Sequence, residues 1–179
     1  KSATFFFISY TIMYFLNIFL KTANNHTVFI KNEVIKMNSD TVNLLRECNS
    51  GIKMGVSSIN RVMPYVKNQL LKSALNASKD EHAVLGDEAH KLLLKYKAET
   101  KEPHPIARAM SDMKIKGKLM MSEKDKTVAS LMTDGCNMGV KSLSKYLNEY
   151  KRATNEAKSI ANRLIGIEQK LNDQVRPYL

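Results

Sequence analysis

Beyond residue 40 the apolar residues return every three or four positions, the spacing of one helical face. Between Asp40 and Pro64 they fall at Val42, Leu45, Ile52, Val56, Ile59 and Met63, with Asn49 in the same rhythm. This predicts a first helix that opens near Asp40, with Ser39 or Asp40 as N-cap, and stops at Pro64. A second helix is expected over about 65–97, its inward face running from Leu71 through Leu75, Ser78, His82, Leu85 and Ala89 to Leu92 and Tyr96. Pro103 and Pro105 forbid continuation. A shorter helix then fits from about Pro105 to Met121, a third from about Lys126 to Arg152, and a fourth from about Asn155 to Val175. The third carries Val128, Met132, Cys136, Val140 and Leu143 inward, and the fourth Ile160, Leu164, Ile167 and Leu171.

One wording occurs twice. "CNSGIKMGVSSIN" at residues 48–60 returns as "CNMGVKSLSKYLN" at 136–148, with five of the thirteen positions identical. The shared residues are Cys48/Cys136, Asn49/Asn137, Gly51/Gly139, Lys53/Lys141 and Asn60/Asn148. Each copy opens a helix that is followed by another, so the repeat reads as a duplicated helical hairpin. A single hairpin leaves an apolar stripe uncovered, and two of them face to face close a four-helix bundle. The expected fold is therefore all-α, with hairpin 1 at about 40–97, a crossover at 98–125 containing the short helix, and hairpin 2 at about 126–176. Gly51 and Gly55 on one helix edge cost helix stability and so argue for a neighbour packed close to the backbone. Cys48 and Cys136 are expected as buried small hydrophobes that approach each other across the bundle. Asn49 and Asn137 are expected to hydrogen-bond between helices and help fix register.

The C-x-x-G opening at Cys48–Gly51, the long second helix, the crossover "PIARAMSDMKIKGKL" and the second opening at Cys136–Gly139 resemble a bacterial ferritin-like family of four-helix-bundle proteins. The resemblance runs from about Asp40 to Leu179. It implies a ferritin-like fold in a soluble cytoplasmic protein open to homo-oligomer formation, and it brings no reaction with it. Ferritin-like bundles that handle oxygen or iron use inward carboxylates and Glu-x-x-His pairs, because hard redox metals need oxygens and imidazoles together. No Glu-x-x-His occurs here; the nearest spacing, Asp87-x-x-His90, faces away from the apolar stripe, as does Glu47. Two polar residues do lie in or beside the stripes, His82 and Glu168. They are either ligands of a reduced iron or manganese site or, the preferred reading, a buried histidine satisfied by a carboxylate or carbonyl.

Charge adds a second possibility. The chain carries 28 Lys and Arg against 17 Asp and Glu, a formal net charge of +11. The crossover helix offers a basic patch of Arg108, Lys114, Lys116 and Lys118, suited to nucleic-acid phosphates or an anionic membrane. No aromatic residues interleave the patch, and the expected role for its charges is a solvated helix face. With four His in the chain, and no phosphate loop or nucleophile elbow legible, acid–base catalysis has little to work with. The sequence favours a non-catalytic binding or assembly protein, with metal handling and nonspecific nucleic-acid binding as the alternatives.

Residues 1–36 stand apart. Ser2–Leu20 is uncharged between Lys1 and Lys21, long and apolar enough to span a membrane. Its composition is also what AT-rich DNA yields when read in any frame, and "EVIKM" back-translates to a purine-rich ribosome-binding sequence just ahead of Met37. Translation beginning at Met37 is the preferred expectation, and a membrane anchor the alternative if these residues are expressed.

Overall fold

A computed structural model describes the backbone of residues 2–102 and 124–179, and the side chains of residues 21–22, 27–102 and 124–179. Four α-helices account for most of it: α1 (Ser2–Val62), α2 (Gln69–Lys95), α3 (Lys124–Glu149) and α4 (Asn155–Val175). Short 3₁₀ turns follow α1 (Met63–Tyr65) and α4 (Arg176–Tyr178), each opened by a proline. The described residues contain no strand. The chain divides into two compact units, Lys1–Met37 and Asn38–Leu179.

The expected start of the first helix is corrected. α1 runs unbroken through Ser39 and Asp40, because the chain meets no glycine before Gly51 and no proline before Pro64. Asp40 caps nothing on its own helix. Its Oδ2 accepts the backbone N–H of Arg152 (3.0 Å), and the fully buried Thr41 accepts that of Thr154 through Oγ1 (3.0 Å). Both bonds tie α1 to the turn between α3 and α4.

α2 also begins later than the periodicity implied. After the 3₁₀ turn, Val66 and Asn68 are extended, and Asn68 caps the helix by accepting from the amides of Leu70 and Leu71. Asp125, in the first turn of α3, accepts from the amides of Lys67 and Asn68 at 2.7 and 3.1 Å. The other end closes on Lys97, whose φ of 53° lets its own amide reach the Leu94 carbonyl and that of Ala98 reach the Leu93 carbonyl. α4 begins at Asn155 behind a Thr154 cap, where the sequence put it.

Two apolar clusters fill the second unit. The first gathers Leu44, Leu45, Cys48 and Ile52 of α1, Leu85, Ala89 and Leu93 of α2, Leu143 of α3, and Ile160 and Leu164 of α4. The second gathers Ile59 and Val62 of α1, Leu71 and Leu75 of α2, Val128, Met132 and Cys136 of α3, and Leu171 and Val175 of α4. Leu44, Val62 and Leu93 are fully buried although the simple stripe passed over them, while Val56 and Leu92 are only half-buried. A helix flanked by neighbours on two sides buries a broad face rather than a narrow seam. The crossover helix expected at 105–121 lies outside the described residues.

Candidate functional site

Polar side chains interrupt the apolar interior between the two clusters. His82 occupies the middle of the α2 stripe and is fully buried; Glu168 comes from α4 and is 8% exposed. His82 Nε2 lies 3.3 Å from Glu168 Oε1, and Nδ1 lies 2.8 Å from the carbonyl oxygen of Ser78, one turn earlier on the same helix. The Ser78 hydroxyl is 3.4 Å from the same Nδ1. Burial disfavours the imidazolium, but the hydrogen bond and charge of Glu168, then the Ser78 carbonyl and the nearby Glu81, outweigh it and hold His82 above its ordinary value of 6.5.

Glycines make room for this pair. A Cβ on Gly55 of α1 would sit 2.8 Å from His82 Nε2 and 3.0 Å from Cδ2, closer than carbon ever packs against a ring. A Cβ on Gly139 of α3 would lie 3.2 Å from both the carboxyl carbon and Oε1 of Glu168. Gly51 faces Leu164 Cδ2 at 3.7 Å, an ordinary contact for a methyl group. The two glycines of the repeated motif thus both face α4, one turn apart.

The cysteines do not meet as expected. Both are free and buried, but Cys48 belongs to the first cluster and Cys136 to the second. α1 and α3 pass the two clusters in opposite order, so the two cysteines of the repeat fall in different clusters. Burial, with the charge of Glu47 adding to it, pushes the Cys48 thiol up to about 12. Burial raises Cys136 as well, reinforced by the carboxylate of Glu168. Neither setting favours a thiolate.

The asparagines part company too. Asn137 is exposed, and its Oδ1 accepts from Asn172 Nδ2 at 3.2 Å, an α3–α4 link. Asn49 is buried, and its Nδ2 has no hydrogen-bond partner among the described residues. Glu47 does not stand clear of the bundle: its side chain is 16% exposed and pairs with Lys101. Arg46 Nε donates to the Glu99 carbonyl at 2.9 Å, and Lys53 pairs with Glu102, so residues 99–102 are tied along α1. Asp87 and His90 are exposed on α2. The predicted basic patch of Arg108, Lys114, Lys116 and Lys118 lies outside the described residues.

Sequence periodicity placed His82 inward and Glu168 at the edge, but missed Ser78 as a partner of the ring. The signal was present, since Ser78 precedes His82 by four residues on one face. On the surface, an open groove of about 500 Å³ lies between α2 and α4, floored by Val84, Leu85, Gly166 and Ile167. Its lips include the Glu81–Lys170 ion pair, and Arg163 at its edge pairs with Glu88 further along α2. Among the described residues, no helix is long and apolar enough to cross a membrane, and no three His, Cys, Asp or Glu side chains converge as metal donors. The Ser2–Leu20 stretch, on which the membrane expectation rests, has no described side chains. Compared with family models, with curated proteins and with solved structures, the chain matches none.

Proposed function

We propose that the chain is a ferritin-like bundle with a non-catalytic binding or assembly role, in which one histidine–carboxylate pair is buried between the two apolar clusters. The observation that carries this reading is the engagement of both imidazole nitrogens of His82. A carbonyl oxygen only accepts, so the Nδ1 that contacts Ser78 donates and has no lone pair for a metal ion. Nε2 faces Glu168, which leaves that carboxylate tied to the ring. Two donors already committed to each other are a poor start for an iron or manganese centre.

The ferritin-like part is supported by the order in which the helices pass the two clusters. α1 and α4 run from the first to the second, whereas α2 and α3 run from the second to the first. The link from α2 to α3 therefore has to return the length of the bundle, as the long crossover of ferritin-like folds does. α2, with 27 residues, is about 40 Å long. Residues 96–123, at up to ~3.3 Å per extended residue, are ample for that distance. The start of the link supports this as well: Glu99 meets Arg46, and three residues later Glu102 meets Lys53, a path toward the second cluster.

Metal analysis and light scattering on the full chain, after exposure to iron or manganese, test the reading together. The expected result is far less than one bound ion per chain, with a defined homo-oligomer or a monomer. Two ions per chain would overturn it. A salt-sensitive shift of nonspecific DNA would favour the basic-bundle reading instead.

A further inference from the structure

Two possible partners compete for one nitrogen at the centre of the bundle. Nδ1 of His82 has the Ser78 carbonyl at 2.8 Å and the Ser78 hydroxyl at 3.4 Å, while Nε2 has Glu168 Oε1 at 3.3 Å. A carbonyl and a carboxylate both accept, so with both bonds made the ring carries two protons. A ring with one proton keeps only one of them. The bond to an ionised carboxylate is the stronger, so the proton stays on Nε2 and Nδ1 is left bare against the carbonyl lone pairs. The Ser78 hydroxyl is then the donor at hand, provided the ring shifts. On the α1 side the ring occupies the space that a Cβ at position 55 would need.

We propose that His82, Ser78 and Glu168 form a proton-operated latch between α2 and α4. It is closed while His82 donates from both nitrogens, and it loosens when the Nδ1 proton passes to solvent and the Ser78 hydroxyl turns in to replace the carbonyl. The groups around the ring leave the proton few other effects to answer to. α1 presents the uncharged Gly55, α2 adds Glu81, itself paired with Lys170, α3 adds Gly139 and the Cys136 thiol beside Glu168, and α4 supplies Glu168. The inference is independent of any binding or assembly role.

The sign follows from the raised value of His82. Stability from the closed latch is fully present below the ordinary imidazole value of 6.5 and is lost as pH rises through the higher folded one. NMR titration of the imidazole resonances of the full chain, with His82 assigned through its loss in His82→Gln, reads the midpoint directly. The expected midpoint lies above 6.5, with the melting temperature falling about 3–5 °C for each unit by which it does so. In Glu168→Gln the amide donates to a neutral ring, so the midpoint drops below 6.5 and the fall vanishes. In Ser78→Ala the replacement donor is gone, so the midpoint rises further. A native midpoint below 6.5 overturns the latch whether or not the variants fold. An unchanged midpoint in Ser78→Ala removes the serine from it, and with the serine the proposal as stated.

Discussion

Gly51 and Gly55 stand one turn apart on α1, and they should respond in opposite ways to the same added methyl group. At Gly51 it would meet Leu164 at ordinary distance, so Gly51→Ala gains up to ~1 kcal/mol from helix propensity. At Gly55 it would overlap an imidazole already fixed at both nitrogens, at a cost of ~1–3 kcal/mol that outweighs the same gain. Urea denaturation of the two variants should move the midpoint in opposite directions. The cysteines make a second residue-scale case. With both thiols buried and raised in pKa, native protein at pH 8 should react with a thiol reagent at least roughly 100-fold more slowly than unfolded chain. Fast labelling of Cys48 or Cys136 without unfolding would contradict the burial found here. What was legible at this scale was the type of environment, apolar for the cysteines and close-packed for Gly55, though not for Gly51. Partners were not legible, because a wheel ranks directions around one helix and carries no information on which residue of another helix lies there.

At the scale of elements, the ends of helices hold the instructive differences. α4 began at Asn155, where its periodicity placed it, with Thr154 Oγ1 accepting from the amide of Ala157 while the Thr154 amide is held by Thr41. α1 did not, because Ser39 and Asp40 have cap chemistry but nothing before them stops a helix, and Asp40 is recruited by the α3–α4 turn. Cap residues are permissive signals, and a distant amide competes for them. α2 ends on a left-handed residue that is not glycine, Lys97 at φ 53°. An L side chain pays ~1–2 kcal/mol for that conformation. Lys97→Gly is expected to stabilise the fold by roughly 0.5–1 kcal/mol, after the extra chain entropy of glycine is allowed for. A loss of stability in chemical denaturation would mean that the Lys97 side chain matters more than its backbone.

For the molecule as a whole, every described residue that is buried lies at or after Thr41, within the unit Asn38–Leu179. A chain shortened to begin at Asn38 should therefore keep its cooperative unfolding, with a melting temperature within roughly 2–4 °C of the full chain. A non-cooperative transition would show that residues 1–37 contribute to the core.

The sequence by itself determined the all-helical character of the described residues, the approximate spans of α2, α3 and α4, the end of α1 and the inward place of His82, because these follow from the period of apolar residues and from where proline falls. Only the tertiary structure decided that Cys48 and Cys136 sit in different clusters, that Gly55 and Gly139 cradle the two halves of one ion pair, and that Asp40 and Thr41 brace a distant turn. Each of these depends on the sense and depth at which one helix passes another. Periodicity along a single helix is blind to both.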